Sequence, residues 1–339
     1  MDIRRTYRSG RPFVKPSYNP RVPILVLVLL LAAGPVLAQG LPRMSSINPV
    51  SSSRSGLSFE PYHDPRPGRW RLDFALDYAS TIEDNEQGTA YYLLDSELLR
   101  VEVSASRDLG ERTFLLLDAQ VGGAYDGFMD GFLDWYHDLL GFSMPERDRR
   151  PHDSFLYTVQ LSDGTSGDYE KSDLFLGDTR VGFGIRLRPW LQSVLALTLP
   201  TSTGPEGYGR EVVSVNLLNT FRGRLSDRFT YEGSLSGGYT PTHGRLSASQ
   251  REVFVAATSG LRFRFWGRQS LFANLFYHSP YYEGTSLPSL DMRELSLDFG
   301  WLLATAGGAE WRLGMTEDLD PSGPAIDLVF RLGATLSPR

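Results

Sequence analysis

The chain has 339 residues, of which 41% are hydrophobic, 12% aromatic and 22% charged, with a formal net charge of −6 at pH 7. This composition is too rich in aromatic residues for a disordered protein and too acidic for a general nucleic-acid-binding protein. The absence of cysteine excludes disulfides, zinc–thiolate and iron–sulfur sites, and a lipid-modified N-terminal cysteine.

The start of the chain has the features of a secretory signal peptide. Residues 1–38 contain six basic residues and one acidic residue, a net charge of +5 that leaves −11 for the rest of the chain. An apolar run follows at 24–33, and it is shorter than the ~20 residues that a transmembrane helix needs. Short side chains then precede a cleavage site after Ala38. We therefore predict a cleaved signal peptide at 1–38 and a periplasmic N-terminal segment at 39–68.

From Trp70 onwards, apolar and polar residues alternate in segments of about ten residues. Alternation with a period of two gives a strand one apolar face and one polar face. The polar face here carries arginine, acidic residues and glycine, and the strands are longer than those of a soluble sandwich. The pattern predicts an all-β protein, a transmembrane antiparallel up-and-down β-barrel with lipid outside and a polar lumen inside. The clearest segments are 70–78, 99–106, 180–187, 295–303 and 326–336.

Short and long connections alternate between these strands. Outer-membrane barrels have short periplasmic turns and long extracellular loops, so the alternation predicts twelve strands within 69–339 and both termini in the periplasm. The first long loop is predicted at 80–95. An additional alternating segment, 155–161, would break this parity, and we place it in an extracellular or plug insertion at 123–172. A fourteen-strand barrel that also uses residues 56–62 is the alternative. Short turns fall near 108–111, 188–190, 225–228, 266–268 and 306–308.

Arginine recurs on the polar faces of the predicted strands. One interpretation is an arginine-lined passage that favours anionic solutes, since rings of charged side chains select ions in pores. The other is a network of arginine–carboxylate pairs that fills the lumen of a narrow barrel. Both interpretations stay open. The candidate lumen-lining residues are Arg71, Arg100, Arg180, Arg186, Arg188, Arg222, Arg224, Arg262, Arg264, Arg312 and Arg331.

A short amphipathic helix is predicted at 126–141, between strands 3 and 4. Phe128, Phe132, Trp135 and Leu139 recur at helical spacing. Aspartates at four-residue intervals repel one another by roughly a few tenths of a kcal/mol per pair. We therefore expect compensation by a cation, by the following Arg147, Arg149 and Arg150, or by luminal arginines. The helix is either a plug or lid over the barrel mouth or a solvated surface helix. The candidate plug or lid residues are Asp126, Asp130, Asp134, His137 and Asp138.

The same segment contains a distinctive motif, made of Gly127-Phe128-Met129-Asp130-Gly131-Phe132, Trp135-Tyr136-His137, Leu140-Gly141-Phe142 and Arg147. This motif resembles the signature of a family of proteobacterial outer-membrane β-barrel proteins known as a domain of unknown function. The resemblance implies a barrel in the outer membrane of a Gram-negative bacterium and brings no established activity with it.

These observations favour a passive channel or transporter for small polar solutes, among which the arginines would favour anions. A plugged structural or adhesion barrel is one alternative. An outer-membrane lipid-modifying enzyme is another alternative, and His278-Ser279 is the neighbouring histidine–serine pair that could act in it. However, His278 lies at a position of the strand that points inward, away from lipid, and the surrounding residues match no such enzyme. We expect no cofactor, metal or nucleic acid. The expected partners are outer-membrane lipids, the barrel assembly machinery and small solutes.

Overall fold

The structure is a computed structural model that describes residues 40–141, 150–305, 308–320, 322–324 and 326–336. The predicted signal peptide at 1–38 lies outside the described residues, so its cleavage stays a prediction. The strands of the described chain form one sheet. They are β1 Trp70–Gln87, β2 Ala90–Asp108, β3 Thr113–Tyr125, β4 Leu156–Gln160, β5 Ser166–Asp168, β6 Ser172–Leu176, β7 Thr179–Arg188, β8 Leu191–Leu199, β9 Ser214–Arg224, β10 Phe229–Tyr239, β11 Val253–Trp266, β12 Gln269–His278, β13 Glu294–Ala304, β14 Ala309–Asp318 and β15 Leu328–Leu336.

Twelve of these strands close into an antiparallel barrel. The sheet runs through β1, β2, β3 and then β7 to β15 in chain order, and β15 pairs with β1 from Leu72↔Leu336 to Ser80↔Leu328. The prediction of a twelve-stranded transmembrane barrel is therefore confirmed. The fourteen-strand alternative is wrong, because residues 56–62 belong to no strand of the sheet.

Three short strands lie outside the barrel wall, in the insertion between β3 and β7. β4 pairs with the projecting end of β2, between Tyr91 and Asp95, and β5 pairs with β4. β6 pairs with the end of β3. The alternating segment at 155–161 therefore contributes a strand to the insertion, as its parity required.

The first extracellular loop differs from its prediction. Residues 80–95 were expected to form a loop, but β1 and β2 remain paired to their tips, at Gln87↔Ala90. Gly88 turns the chain there with φ 67°, a conformation that glycine adopts without strain. Most residues of this hairpin are buried on both faces, partly because β4 and the loops cover it. Burial on both faces removes the alternation on which the sequence argument relied.

The outer face of the barrel is an apolar belt. Outward side chains such as Leu117, Leu195, Leu217 and Leu313 are each about half exposed, whereas their inward neighbours are buried. No helix in the described ranges has the length and apolar character needed to cross a membrane. The closed sheet pairs its own backbone groups, which is what a segment surrounded by hydrocarbon requires.

Three helices accompany the strands in the described chain: α1 Pro49–Arg54, α2 Asp130–Leu140 and α3 Pro288–Asp291. A single 3₁₀ turn lies at Ser247–Ser249. Asn48 begins α1, and its side-chain oxygen accepts a hydrogen bond from the Val50 amide at 2.9 Å. α2 lies between β3 and β4, and its presence there confirms the predicted helix.

Candidate functional site: the filled lumen

Residues 40–64, which we call the luminal segment, lie inside the barrel. The carbonyl of Gly40 accepts from Arg262 near the short-turn end, and Arg54 of α1 donates to the carbonyls of Thr240 and Pro241 at the opposite end. The chain then returns, because Asp64 pairs with Arg222 near the short turns again. The segment thus has a first arm (40–48), α1, and a second arm (55–64).

This position corrects the prediction that residues 39–68 form a periplasmic segment. Only the exit from residue 65 onwards is exposed at the short-turn end. The burial of Leu41, Met44, Leu57 and Phe59 explains why the segment lies inside, because each contacts inward apolar side chains of the wall. The sequence signal for this was weak, since the alternation of Leu57 and Phe59 is shorter than that of the barrel strands and follows a stretch rich in serine.

Charged side chains hold the first arm. Arg43, which is 8% exposed, donates to both carboxylate oxygens of Asp118 on β3 at 2.8 and 2.9 Å, and it also pairs with Glu60 of the second arm at 2.9 Å. Bidentate arginine–carboxylate contacts of this kind are strong and directional. Arg43 therefore links the first arm to the wall and to the second arm at once.

Wall arginines bind the carbonyls of the first arm. Arg100 and Arg331 donate to the carbonyl of Ser45 at 2.9 and 3.0 Å. Arg312 donates to the carbonyl of Arg43 at 3.0 Å. Arg100 is also paired with the inward Asp77 on β1 at 2.5 Å. The backbone of the first arm therefore takes the place that water or a solute would occupy beside these guanidinium groups.

Neutral side chains hold the middle of the second arm. Asn216 makes two hydrogen bonds to the backbone of Leu57, with its oxygen 3.1 Å from the amide nitrogen and its Nδ2 3.0 Å from the carbonyl oxygen. Ser234 and Thr220 donate to the carbonyls of Ser58 and Glu60 at 2.9 and 2.7 Å. The Leu57 side chain packs in an apolar cluster of the inner wall. The lumen is therefore less uniformly polar than the strand pattern predicted.

Glu232 on β10 joins the two arms. Its carboxylate accepts from the amide of Leu41 at 2.5 Å and from the amide of Tyr62 at 3.1 Å. The residue is fully buried, so both bonds form away from water. Because one side chain holds both arms, displacing either arm leaves a buried carboxylate with fewer donors.

The predicted lumen-lining arginines are mostly paired with carboxylates in this closed arrangement. Two of them, Arg188 and Arg264, are exposed near the short turns, and Arg312 binds the first arm as described. The geometry thus matches the salt-bridge interpretation for the filled barrel. The pairs are Arg71–Asp73, Arg100–Asp77, Arg180–Asp118, Arg186–Asp108, Arg222–Asp64, Arg224–Asp227, Arg262–Glu310, and Arg331 with both Asp77 and Asp298.

The luminal segment separates two cavities at opposite ends of the barrel. The one at the short-turn end has a volume of ≈ 150 Å³ and is lined by Leu41 and Arg43 of the first arm and Tyr62 of the second. The one at the long-loop end has a volume of ≈ 250 Å³, and Ser53 of α1 and Tyr169 contribute to its lining. Each cavity ends against the luminal segment.

α2 lies on the outer surface and does not cover the mouth, which corrects the plug or lid interpretation. Met129 and Leu133 are buried against Leu328, and the Phe132 ring lies 5.8 Å from that of Phe330. Both wall residues face outward, because they alternate along β15 with the buried, inward-facing Arg331. The helix is also not fully solvated, so the surface-helix alternative describes it incompletely.

Neighbouring loops contact three of the four acidic residues of this segment. Asp126 pairs with Lys171 at 2.8 Å, and this hydrogen bond lowers the pKa of Asp126. Asp134 lies 3.0 Å from His152. Asp130 accepts from the amide of residue 153 at 2.7 Å, and Asp138 is exposed. The side chain of His137 lies outside the described part of the structure.

His278 and Ser279 do not form a catalytic pair. The His278 ring is fully buried and is stacked on Tyr281 at 4.0 Å and on Phe254 at 5.2 Å. Its Nδ1 donates to the carbonyl of Ser279 at 2.6 Å, while the Ser279 hydroxyl oxygen accepts from the Val255 amide at 3.0 Å. A general base must contact the proton that it removes, and this geometry gives no such contact.

A closed twelve-stranded sheet with an apolar outer belt and an occupied, charged lumen defines an outer-membrane β-barrel of a Gram-negative bacterium. The chain belongs to the family described as "Protein of unknown function (DUF3187)", whose model matches residues 20–336. The resemblance seen in the sequence is therefore confirmed. No curated protein matches the sequence.

Solved outer-membrane channels share this architecture. The chain is similar to the COG4313 outer membrane channel from Pseudomonas putida F1, with 13% identity, 80% of this chain and 96% of that chain covered, and a TM-score of 0.52. It is more distantly similar to the CymD monoaromatic hydrocarbon channel (13% identity, 91% and 98% covered, TM-score 0.39) and to the KdgM porin (8%, 79% and 99%, TM-score 0.39). At these identities the similarity describes the fold.

Proposed function

We propose that the protein is an outer-membrane channel for small polar solutes and that the luminal segment closes it. The observation that supports this most is that a separate stretch of chain, rather than strand side chains alone, fills the lumen. The segment lies between the two end cavities, which would otherwise connect through the lumen. A filling made of chain can move as a unit, whereas one made of wall side chains cannot leave the barrel.

Water can replace many of the hydrogen bonds that hold the segment, whereas the side chains of Leu41, Met44, Leu57 and Phe59 would lose apolar burial on leaving the lumen. Its backbone is held largely by wall side chains, such as Arg312 on the first arm and Asn216 on the second. Hydrogen bonds exchanged for bonds to water cost only about 0.5–1.5 kcal/mol each, whereas an apolar core would lose its full burial energy. We infer that the closed arrangement is in equilibrium with one in which part of the segment leaves the lumen.

The wall that the first arm covers supports a preference for anions there. Arg100, Arg312 and Arg331 face the inward carboxylates Asp77 and Asp298, and the carbonyls of the first arm supply further acceptors. Departure of this arm removes those acceptors from the three guanidinium groups, and a small anion would supply new ones. Glu102 and Glu294 also lie near Arg331 and oppose this preference. Arg43 departs with the arm, which leaves Asp118 on β3 without that cation.

The test is a reversible lock on the segment in the full-length chain. The Ser234 hydroxyl of the wall donates to the backbone carbonyl of Ser58, so the two residues are neighbours. The chain has no cysteine, and Ser58→Cys with Ser234→Cys would introduce a single pair of thiols. In planar bilayers we expect the oxidised double variant to conduct less than the parent, and reduction to restore conductance. Each single variant, treated in the same way, is the control.

Selectivity is measured on the same preparation. A reversal potential of anion-selective sign in a KCl gradient supports the anionic part of the proposal, and a cation-selective sign contradicts it while leaving the channel intact. Absence of conductance in the parent and in the reduced double variant would overturn the channel itself. That outcome would favour the second candidate, a structural barrel, for which the specific observation is that residues 40–64 occupy the lumen between the two end cavities.

A further inference from the structure

We propose that residues 127–140 form a lipid-contact element, in which a stripe of side chains on and before α2 inserts among the acyl chains of the outer leaflet. The stripe consists of Phe128, Phe132, Trp135 and Leu139, which are 73%, 42%, 57% and 66% exposed. Phe132, Trp135 and Leu139 are positions i, i+3 and i+7 of α2, so they lie on one side of the helix, and Phe128 precedes its first turn. This inference does not depend on the luminal segment or on conduction.

The position of α2 on the barrel identifies the environment of the stripe. Phe128 lies 5.5 Å from the outward Tyr78 ring of β1, and Leu133 is buried against the outward Leu328 of β15. Further along the same two strands, Leu76 and Leu332 are 41% and 48% exposed and belong to the apolar belt. The stripe is therefore continuous with the surface of the barrel that faces lipid.

The wall-facing side of α2 and part of its acidic side are already occupied. Its wall-facing side packs in the cluster with Leu328, and Tyr136 donates to Glu317 at 2.9 Å. Its acidic side meets the loops through His152 and residue 153. Contiguous exposed apolar surface of this kind is rare on water-facing proteins, and interfacial helices place such a face in the bilayer.

A clamp fixes the start of this element to the wall. Glu97 faces outward on β2, yet it is only 2% exposed, and it accepts from the amide of Phe128 at 2.8 Å, from the amide of Met129 and from the Tyr78 hydroxyl. Gly127 permits this approach. Its φ is 78°, and a Cβ there would lie 2.0 Å from the Glu97 Cδ atom. A charged side chain on the lipid face is costly, so the clamp also shields Glu97.

This arrangement gives a physical reason for the family signature at 127–132. The glycine admits Glu97, the next two amides bind its carboxylate, and the aromatic residues of the motif reach the lipid level. The geometry therefore points to membrane contact by the motif, with the outer-leaflet acyl chains as its partner.

The experiment uses the absence of native cysteine. Trp135→Cys, Asp138→Cys and Val101→Cys are each spin-labelled in full-length protein in phosphatidylethanolamine–phosphatidylglycerol vesicles. Accessibility to oxygen, which concentrates in hydrocarbon, is compared with accessibility to a water-soluble nickel complex. Val101 faces outward on β2 and is 36% exposed, so it is the lipid reference, and the exposed Asp138 is the aqueous reference.

We expect the label at 135 to resemble the label at 101, with oxygen favoured several-fold over the nickel complex relative to 138. A label at 135 with the accessibility of the label at 138 would overturn lipid contact. A label protected from both reagents would also overturn it, in favour of a protein partner.

Gly127→Ala in the Trp135→Cys background tests the clamp. We expect the label to become more mobile and water-accessible while the barrel keeps its heat-modifiable migration, and unchanged accessibility with a folded barrel contradicts the clamp.

Discussion

The two arms of the luminal segment are held by different chemistry. Between Arg43 and Ser46, the first arm meets guanidinium groups and carboxylates, with Arg43 on Asp118 and Arg100 on the Ser45 carbonyl. Between residues 57 and 61, the second arm meets amides and hydroxyls, chiefly Asn216 and Thr220. A lost ionic partner leaves a buried charge, whereas a lost neutral partner leaves a dipole, so the two arms should respond unequally to mutation.

Replacement of Arg43 by methionine should have the largest effect. It keeps much of the side-chain volume but leaves Asp118 and Glu60 buried without this cation, a change that costs about 3–5 kcal/mol for a buried pair. If the cost falls on the closed arrangement, the open-to-closed ratio in single-channel recordings should rise by more than about 100-fold.

The matched control for Arg43 is Arg251→Met. Arg251 pairs with Glu283 in an exposed contact at the long-loop end, and such pairs contribute about 0–1 kcal/mol. We expect its recordings to resemble those of the parent. Equal effects of the two substitutions would show that the ionic contacts of the first arm do not hold the channel closed.

Gly56→Ala tests the packing at the start of the second arm and changes no charge. A Cβ at this position would lie 2.6 Å from the Phe254 ring and 2.8 Å from the Asn216 side chain. Overpacking of this kind costs about 1–3 kcal/mol, so we expect a rise of about 5- to 140-fold in the open-to-closed ratio. Gly110→Ala is the control, because the nearest atom to its Cβ would be 4.0 Å away. If the Gly56→Ala variant opens as often as the parent, the second arm can move aside without cost.

The comparison of the arms also shows how far sequence reasoning reaches. Strand parity is a local property, and so the barrel, its twelve strands and the α2 helix were predictable. The luminal segment was not, because Leu57 meets Asn216 and Leu41 meets Glu232, partners more than 150 residues away along the chain. Single contacts between residues so far apart in the chain produce no periodic pattern in the sequence.

The helix shows a second kind of limit. Its amphipathic pattern predicted an apolar side and an acidic side, but not which surface of the barrel it would contact. That choice depends on Glu97, an outward carboxylate whose burial requires the close approach of Gly127. A glutamate in an alternating strand has the same sequence appearance whether lipid or a helix lies beyond it.

Thr220→Val should have a smaller effect than either change above. It removes one hydroxyl bond of 2.7 Å to the Glu60 carbonyl, and the Gln192 amide still donates to that carbonyl at 3.4 Å. The expected cost is about 0.5–1.5 kcal/mol, or roughly a threefold to tenfold rise in open probability. Thr258→Val is the control, because its buried hydroxyl has no hydrogen-bond partner among the described residues. A change at Thr220 as large as at Arg43 would abolish the distinction between the arms.

The smallest effect concerns the loop that meets α1 between the two arms. His243 Nδ1 lies 3.1 Å from a guanidinium nitrogen of Arg54, and burial, with Arg54 second, lowers the pKa of this histidine below 6.5. Arg210 also disfavours the charged imidazole, while Glu211 favours it. The closed arrangement therefore prefers neutral His243. The stabilisation that the neutral ring gives to the closed arrangement is present above pH 6.5 and declines as the pH falls towards the lowered pKa.

Acidification should therefore raise the open probability modestly. The variant His243→Asn keeps a polar group near Arg54 but does not titrate, so it should lose this component of the pH dependence. An unchanged pH profile in the asparagine variant would assign the response to other groups, and a decrease in opening on acidification would contradict the sign.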